Sequence, residues 1–417
     1  MAHPFRGVAS ITGLGMTPMG RVYRSTNELA AEAVAKAIAD AGLRKDDIDG
    51  LLINAGITGT TGGGLTLGLQ NYLGLKNLRL LNHMNAAGST AAQMVQYATM
   101  AIHAGMATHV LCVFADAPLK EGTSAGAAYG GAARNPQRPK GMAGLYAAAG
   151  YFGANTPYAL AARRHMALYG TKQDHLGIIA VGQRQWATMN PLAQYQKESP
   201  LDEVLNSRMI AYPNTLLMCC PTGDGAAAAI LTTMEKARQF TTQPIKVAAS
   251  VLTSDPYTDR DLTLPDINTL TRKAAKLAYE QAGVGPEDLD QVELHDCFAT
   301  AELLHYENLG LCGDGEAAAH VASGAPWLGN KVPTKYEEDV APFRDKTYQP
   351  KTKAVVNVSG GLLSKGHPLG ATGVANIVEI VFHLRGQAGA RQVEGSKVGL
   401  AHVIGLCSAC TIHILQK

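Results

Sequence analysis

No run of ~18 apolar residues occurs in this chain, so no segment reads as a bilayer-spanning helix. An excess of one charge is missing as well, with 36 basic residues against 34 acidic ones and a net charge of +2. Such a balance leaves no electrostatic footprint for nucleic acid or an anionic membrane. The seven cysteines lack framework spacing, which argues for reduced thiols and against a disulfide scaffold. Met1-Ala2-His3-Pro4-Phe5-Arg6 has no apolar signal core, and Ile414-Leu415-Gln416-Lys417 is not a peroxisomal tripeptide signal. These absences lead us to expect a cytoplasmic protein that binds neither nucleic acid nor membrane. What is present is apolar: 46% of the 417 residues are hydrophobic and 17% charged. That length suits two packed domains of ~200 residues. The 45 glycines are aperiodic and gather at turns and strand ends, as a strand–helix fold with close backbone approaches needs.

The chain echoes itself. Ala41-Gly42-Leu43-Arg44-Lys45-Asp46-Asp47-Ile48-Asp49 has a partner in Ala282-Gly283-Val284-Gly285-Pro286-Glu287-Asp288-Leu289-Asp290, displaced by 241 positions (282 minus 41). Each follows an alanine-rich helical stretch and precedes an apolar run, a pattern that points to duplication. Strands are expected at about 8–16, 50–55, 78–84 and 108–115, and again at about 245–253, 291–297, 354–359 and 397–404. Helices are expected near 27–42, 86–104, 267–283, 299–309 and 370–387. Alternation of Val- and Ile-rich runs with amphipathic helices implies a largely parallel sheet covered on both faces. We therefore divide the chain into halves at 1–242 and 243–417, with an inserted loop domain at about 117–200 in the first. Long insertions in compact domains are usually functional.

Four stretches carry chemical information. Asn357-Val358-Ser359-Gly360-Gly361-Leu362-Leu363-Ser364-Lys365-Gly366-His367-Pro368-Leu369-Gly370-Ala371-Thr372-Gly373 follows an apolar strand and leads into a long helix. Glycines on both sides of His367 let the backbone turn sharply and hold an imidazole at the mouth of the sheet, where α/β folds bind ligands. The plain alternative is a glycine loop with an incidental histidine, and its length and glycine density argue against that. His295-Asp296-Cys297-Phe298 lies at a strand end directly before a helix, where backbone N–H groups lower a thiol's pKa. A lone cysteine is ordinarily structural, but His295 two residues earlier points toward chemistry. Met218-Cys219-Cys220-Pro221-Thr222-Gly223-Asp224-Gly225-Ala226-Ala227-Ala228 reads as a tight turn feeding a small-residue strand, with Cys219 and Cys220 structural. Gly399-Leu400-Ala401-His402-Val403-Ile404-Gly405-Leu406-Cys407-Ser408-Ala409-Cys410 has a CxxC spacing, but no second ligand pair supports a zinc site. Residues three apart on one strand also face opposite ways.

Together these stretches resemble the thiolase superfamily, in particular its sterol-carrier-protein-type branch and the bacterial lipid-transfer relatives. Gly366-His367-Pro368-Leu369-Gly370-Ala371-Thr372-Gly373 is similar to the family's histidine loop, and His295-Asp296-Cys297-Phe298 to the HDCF box of that branch. Cys220-Pro221-Thr222-Gly223-Asp224-Gly225 and Gly399-Leu400-Ala401-His402 resemble two further segments, and the likeness spans essentially the whole chain. It implies a duplicated α/β fold, five-layered αβαβα with an inserted loop domain, usually dimeric. It also implies that His367 activates a nucleophile, that Cys297 is the acid/base thiol and that His295 holds an enolate oxygen. Gly366 and Gly405 would belong to the loops around that oxyanion site. No bound cofactor or metal is implied; coenzyme A serves as substrate or carrier.

The departure lies in Asn82-His83-Met84-Asn85-Ala86-Ala87-Gly88-Ser89-Thr90-Ala91, where the family's nucleophilic cysteine falls on Asn85. An amide cannot carry an acyl group as a thioester. Val403 replaces the second cysteine of ordinary thiolases, a task that Cys297 takes over in this branch. Three readings follow. The first is a thiolase-type acyltransferase acting on 3-oxoacyl-CoA in acyl-CoA degradation, its acyl group taken by another route. The second is a retro-aldolase cleaving 3-hydroxyacyl-CoA without free CoA, although related aldolases carry tyrosines at the two histidine positions. The third is a non-catalytic acyl-CoA-binding or scaffold subunit. Tyr146, Tyr151, Phe152 and Tyr158 would line an apolar acyl pocket or form the loop domain's own core. Arg134, Arg138 and Lys140, with Arg163 and Arg164, are candidates for the CoA phosphates. The resemblance further implies a homodimer and a small zinc-ribbon/OB-fold partner protein that delivers acyl-CoA.

Overall fold

The computed structural model describes residues 4–54, 65–123, 141–151, 153–240, 243–254, 269–327, 337–344, 346–405 and 409–417. Ten strands form its main sheet: β1 (Ala9–Met16), β2 (Gly50–Asn54), β3 (Leu80–Met84), β4 (Val110–Asp116), β5 (Gly225–Thr233), β6 (Ile245–Ser254), β7 (Gln291–Glu293), β8 (Val355–Val356), β9 (Val398–Gly405) and β10 (Ala409–Gln416). Their order is β8-β7-β9-β10-β6-β1-β5-β4-β2-β3. Read outward from the centre, β1-β5-β4-β2-β3 and β6-β10-β9-β7-β8 are the same succession of first, fifth, fourth, second and third strand. Where the two successions meet, β1 and β6 share only the pairs Ser10–Lys246 and Ile11–Ile245.

The longer helices are α1 (Thr26–Asp40), α2 (Thr90–His103), α3 (Asn155–Tyr169), α4 (Gln173–Thr188), α5 (Thr269–Ala282), α6 (Ala299–Asn308) and α7 (Thr372–Arg385). Local chemistry starts α1: the Ser25 hydroxyl accepts from the Glu28 N–H, and the Glu28 carboxylate accepts from the Ser25 N–H at 2.9 Å. Leu29, Ala30, Ala33, Val34, Ala37 and Ile38 then bury one helix face at a 3.6-residue period. α2 and α7 touch strands of both half-sheets. Met94, Val95 and Ala98 share one apolar core with Val374, Ile377, Val378 and Val381. α1 covers the outer face of one half-sheet and α5 that of the other, which gives the layers α, β, α, β, α. On β4, Val110, Cys112 and Phe114 face the middle core while Leu111, Val113 and Ala115 face α1. Burial on both faces explains why such strands read as unbroken apolar runs.

The sheet is mixed where a largely parallel one was expected. β2 runs parallel to β3 and β4, and β7 to β8 and β9, but β5 and β10 are antiparallel to both of their neighbours. The short step from Gly405 to Ala409 leaves room for a hairpin and none for a parallel crossover. The strand expected at about 397–404 is one arm of that hairpin, and the residues from Ala409 onward form the other. Cys410 lies on β10, and Cys407 is outside the described residues. The strand expected at 291–297 stops at Glu293, and the one at 354–359 stops at Val356, because the following residues form loops. α2 begins at Thr90 and not at 86, since Ala87 holds a left-handed backbone at φ 48°.

The excursion expected at about 117–200 runs from Asp116 to Gly225, between β4 and β5. Its counterpart in the second succession of strands is the short step from Gly405 to Ala409. Within it, Leu176, Ile179 and Trp186 of α4 join the apolar core under the second half-sheet. Tyr146 and Tyr151 are exposed, so neither builds a core, and Phe152 lies outside the described residues. Among the described residues no helix is long and apolar enough to cross a membrane.

Candidate active site

Two loops at the ends of neighbouring strands β7 and β8 bring the chemistry together. The first, Leu294-His295-Asp296-Cys297-Phe298, runs from β7 into α6. The second runs from Asn357 to Ala371, between β8 and α7. Buried carboxylates of β7 and of the first loop organise the second loop. Asp296 accepts from the N–H groups of Leu362 at 2.7 Å and Leu363 at 3.2 Å. Glu293 accepts from the Ser359 hydroxyl at 2.6 Å and faces the fully buried Lys365 ammonium at 3.5 Å. Gly361 has φ 57°, and a Cβ there would fall 2.1 Å from an Asp296 oxygen, so the turn requires glycine. Burial lifts the Asp296 carboxyl to about 7, against the pull of those N–H groups.

The imidazoles of His295 and His367 meet edge to face, with ring centroids 5.1 Å apart at 84°. His367 Nδ1 lies 2.8 Å from the Thr372 hydroxyl, which itself donates to the Pro368 carbonyl at 3.1 Å. Thr372 has one proton and uses it on Pro368, so its oxygen accepts from an Nδ1–H. The lone pair of His367 is left on Nε2. Burial and the neighbouring His295 hold His367 well below the usual histidine range, so the ring is neutral. Burial likewise pushes His295 down to about 4, and its Nδ1 has no protein partner among the described residues. Its backbone N–H donates to His402 Nδ1 at 3.3 Å, and His402 Nε2 in turn lies 3.3 Å from the Thr271 hydroxyl.

Cys297 is buried, and that burial pushes its thiol up to about 12. The turn read as merely structural passes beside it: the Cys220 N–H donates to the Cys297 carbonyl at 3.0 Å, and Cys219 bridges to Phe298. Three residues on, Thr222 bridges to His367. One short segment thus pairs with both loops. This role had no sequence signal, because Cys220 and Cys297 are 77 positions apart (297 minus 220). Asp296, Thr372 and His402 were also missed as members of the constellation.

Gly366 stands immediately before His367 with φ 121°. Gly405, at the end of β9, lies against the Gly88 and Ser89 backbone; a Cβ on it would be 3.0 Å from the Gly88 nitrogen. The Asn85 loop is therefore seated on the strand that carries His402. Asn85 itself is exposed, and its Oδ1 accepts from the Ala87 N–H at 3.0 Å. No hydrogen bond or ring contact among the described residues joins it to His295, Cys297 or His367. Arg134, Arg138 and Lys140 lie outside the described residues. Arg163 is exposed, its guanidinium 5.4 Å from the Tyr212 ring.

Comparison with known proteins identifies the family. The "Thiolase C-terminal domain-like" family model matches residues 257–337 and 334–417. Sterol carrier protein 2 of Rattus norvegicus is 35% identical over 97% of this chain and 71% of its own length. Benzoylsuccinyl-CoA thiolase subunit BbsB of Thauera aromatica is 40% identical over 60% of this chain and 59% of its own. Among solved structures, the Ltp2-ChsH2(DUF35) aldolase superposes with a TM-score of 0.77, at 28% identity over 99% of both chains. On this identity and coverage, the chain belongs to the thiolase superfamily, in its sterol-carrier-protein branch.

Proposed function

We propose that this chain cleaves or forms the C–C bond next to the thioester of a 3-oxoacyl-CoA. The observation that carries the reading is the edge-to-face pair of neutral, buried imidazoles, His367 from one loop and His295 from the loop that also presents Cys297. An orphaned, buried nitrogen such as His295 Nδ1 marks a place where a substrate atom completes the hydrogen bonding. His295 holds the enolate oxygen in this reading. His367 Nε2 takes the proton from an attacking thiol, and Cys297 gives a proton to the α-carbon once C2–C3 has broken. With Asn85 at the family's nucleophile position, the attacking thiol is that of coenzyme A itself. No acyl-enzyme forms.

A second reading has its own support. The aldolase likeness extends over 99% of both chains, and retro-aldol cleavage needs no acyl-carrying cysteine. His367 would then take the proton of a 3-hydroxyl group, with His295 and Cys297 unchanged in role. The same proposal assigns residues 1–242 and 243–417 to two halves, supported by their matching strand successions. It gives Gly366 and Gly405 to the loops around the oxyanion, and Arg134, Arg138 and Lys140 to the CoA phosphates. It also includes a homodimer in the cytoplasm and a small partner protein, the latter supported by the DUF35 component of the solved aldolase.

The test is a product assay by mass spectrometry on matched 3-oxoacyl-CoA and 3-hydroxyacyl-CoA, with and without free CoA. Cleavage of the 3-oxo compound that depends on free CoA supports thiolysis. Release of an aldehyde or ketone from the 3-hydroxy compound without CoA selects the aldolase. Cys297→Ala and His367→Ala should each lower the rate by roughly 10²- to 10⁴-fold. Normal turnover by either variant would sink the assigned roles.

A further inference from the structure

β7 ends at Glu293, and its ladder with β9 stops at the pair Ala401–Glu293. The next two backbone N–H groups therefore have no strand partner just where His295 is presented. Side chains meet both of them. The Leu294 N–H donates at 2.8 Å to Oδ1 of Asn357, which directly follows β8. The His295 N–H donates to Nδ1 of His402 on β9 at 3.3 Å. Side chains from the two flanking strands, and not sheet pairing, thus set the direction of His295.

Asn357 makes the shorter of these two contacts and is itself held on every side. It is fully buried; its N–H donates to the Val292 carbonyl at 2.8 Å and its carbonyl accepts from the Gly360 N–H at 2.9 Å. Its φ of 51° is a left-handed conformation that asparagine adopts more readily than most residues. Its Nδ2 donates to Glu302 Oε2 at 3.0 Å. Glu302, buried on α6, accepts in addition from Gln183 Nε2 at 3.0 and 3.1 Å and from the Tyr306 hydroxyl. The Tyr306 contact is to Oε1, so Oε2 stays an acceptor for Asn357 in either protonation state of the carboxyl. Asn357 opens the loop that carries His367, and α6 follows directly from the loop of His295 and Cys297. One buried circuit ties the three together.

We propose that Asn357, anchored by Glu302, is the positioning residue that sets the His295 imidazole against that of His367. Its effect on rate rests on the reading given above, in which His295 holds the enolate oxygen. Without the Asn357 side chain, the Leu294 N–H is left buried and unpaired, and the turn that presents His295 shifts to find another acceptor. A misplacement of ~1 Å can cost roughly 100-fold in rate. Asn357 gives no hydrogen bond to substrate in this scheme, so the loss falls on turnover and not on binding.

The experiment has two arms. Asn357→Gly keeps the left-handed backbone and removes only the side chain. In the first arm, NMR of protein with isotope-labelled histidine rings is recorded without substrate. The ring resonances of His295 and His367 should move from their wild-type positions, and those of His165 and His413 should stay. In the second arm, steady-state kinetics on the substrate that the wild type cleaves should show kcat down roughly 10- to 100-fold with KM within about threefold. Glu302→Leu, which leaves Asn357 in place without its anchor, should move the same two resonances. Glu302→Gln still offers an oxygen to Nδ2 and should restore both the resonances and the rate. The Glu302→Leu protein decides the matter if the glycine variant does not fold. Unmoved His295 and His367 resonances would overturn the proposal, and so would a raised KM with kcat unchanged. Moved resonances in a protein whose wild type cleaves neither substrate would uphold the positioning role and sink only the proposed reaction.

Discussion

Replacing Gly370 with alanine would place a methyl group inside an aromatic ring. A Cβ built at that position lies 1.5 Å from Phe114 Cζ, 1.6 Å from Cε1 and 2.4 Å from Cε2. Carbon atoms pack at ~3.5–4.0 Å, so the ring would have to retreat by about 2 Å. Phe114 is only 1% exposed on β4, in the middle core with Met16, Ala227 and Val374, and such interiors offer no space for that movement. Overpacking of this kind costs about 1–3 kcal/mol, and the depth of the overlap places Gly370→Ala at the upper end. The assay is equilibrium urea unfolding of four proteins: wild type, Gly370→Ala, Phe114→Ala and the double variant. Phe114→Ala alone should lose about 3–5 kcal/mol to the cavity it leaves. In the double variant the new methyl enters that cavity, so its loss should fall short of the sum by about 1–3 kcal/mol. Strict additivity would refute the argument, because it would mean that the loop carrying His367 is not seated on the Phe114 ring.

Two further outcomes follow from the site. Thr372→Val removes the acceptor that fixes the proton on His367 Nδ1, and an unpartnered buried N–H costs about 1–3 kcal/mol. Cleavage activity should drop roughly 5- to 100-fold and return with Thr372→Ser; turnover by the valine variant within twofold of wild type would contradict it. Burial pushes His295, His320, His383 and His413 down to about 4 and His305 to about 3, from 6.5 in the open chain. Between these values the unfolded chain binds protons that the folded chain refuses. Their stabilisation is therefore complete above pH 6.5 and is lost as pH falls toward 4. Each such gap is worth roughly 3 kcal/mol. Asp296, held up to about 7, and Asp224, Glu293 and Glu302, which burial also raises, act in the opposite sense over part of that range but are outnumbered by the histidines. The thermal midpoint should fall steeply from pH 6.5 to 5, and a flat profile there would refute the sum.

What could be read from the sequence was whatever is encoded locally. β1, β2, β4, β6 and β9 declare themselves as apolar runs, and α1 and α7 as periodic stripes. His295, Cys297 and His367 could be singled out as candidates because each sits in a dense motif at a strand end. Facts that depend on pairing stayed hidden. Nothing near Cys220 indicates that its N–H meets the Cys297 carbonyl, and nothing near Tyr158 indicates that its ring packs on Phe298. Antiparallel β5 and β10 were obscured for the same reason, since alanine-rich and mixed runs do not name their ladder partners. The glycines flanking His367 were assigned one purpose and have two. Gly366 turns the backbone, whereas Gly370 makes room for Phe114.

The position of α4 has a consequence measured in seconds. Its apolar stripe of Leu176, Ile179 and Trp186 is buried in one core with Val292, Ile412 and Ile414. From Trp186 to Ile414 is 228 residues (414 minus 186). At roughly 5–20 residues per second a ribosome needs about 10–45 s to cover that distance. Leu201, Val204 and Met218 join the stripe early, but the core they share stays open through that interval, so the nascent chain holds an incompletely covered apolar surface outside the exit tunnel until the last strand of the sheet is made. Slow decoding late in the message, or a shortage of holding chaperones, should therefore reduce the yield of this protein before any change in the stability of the finished fold is felt.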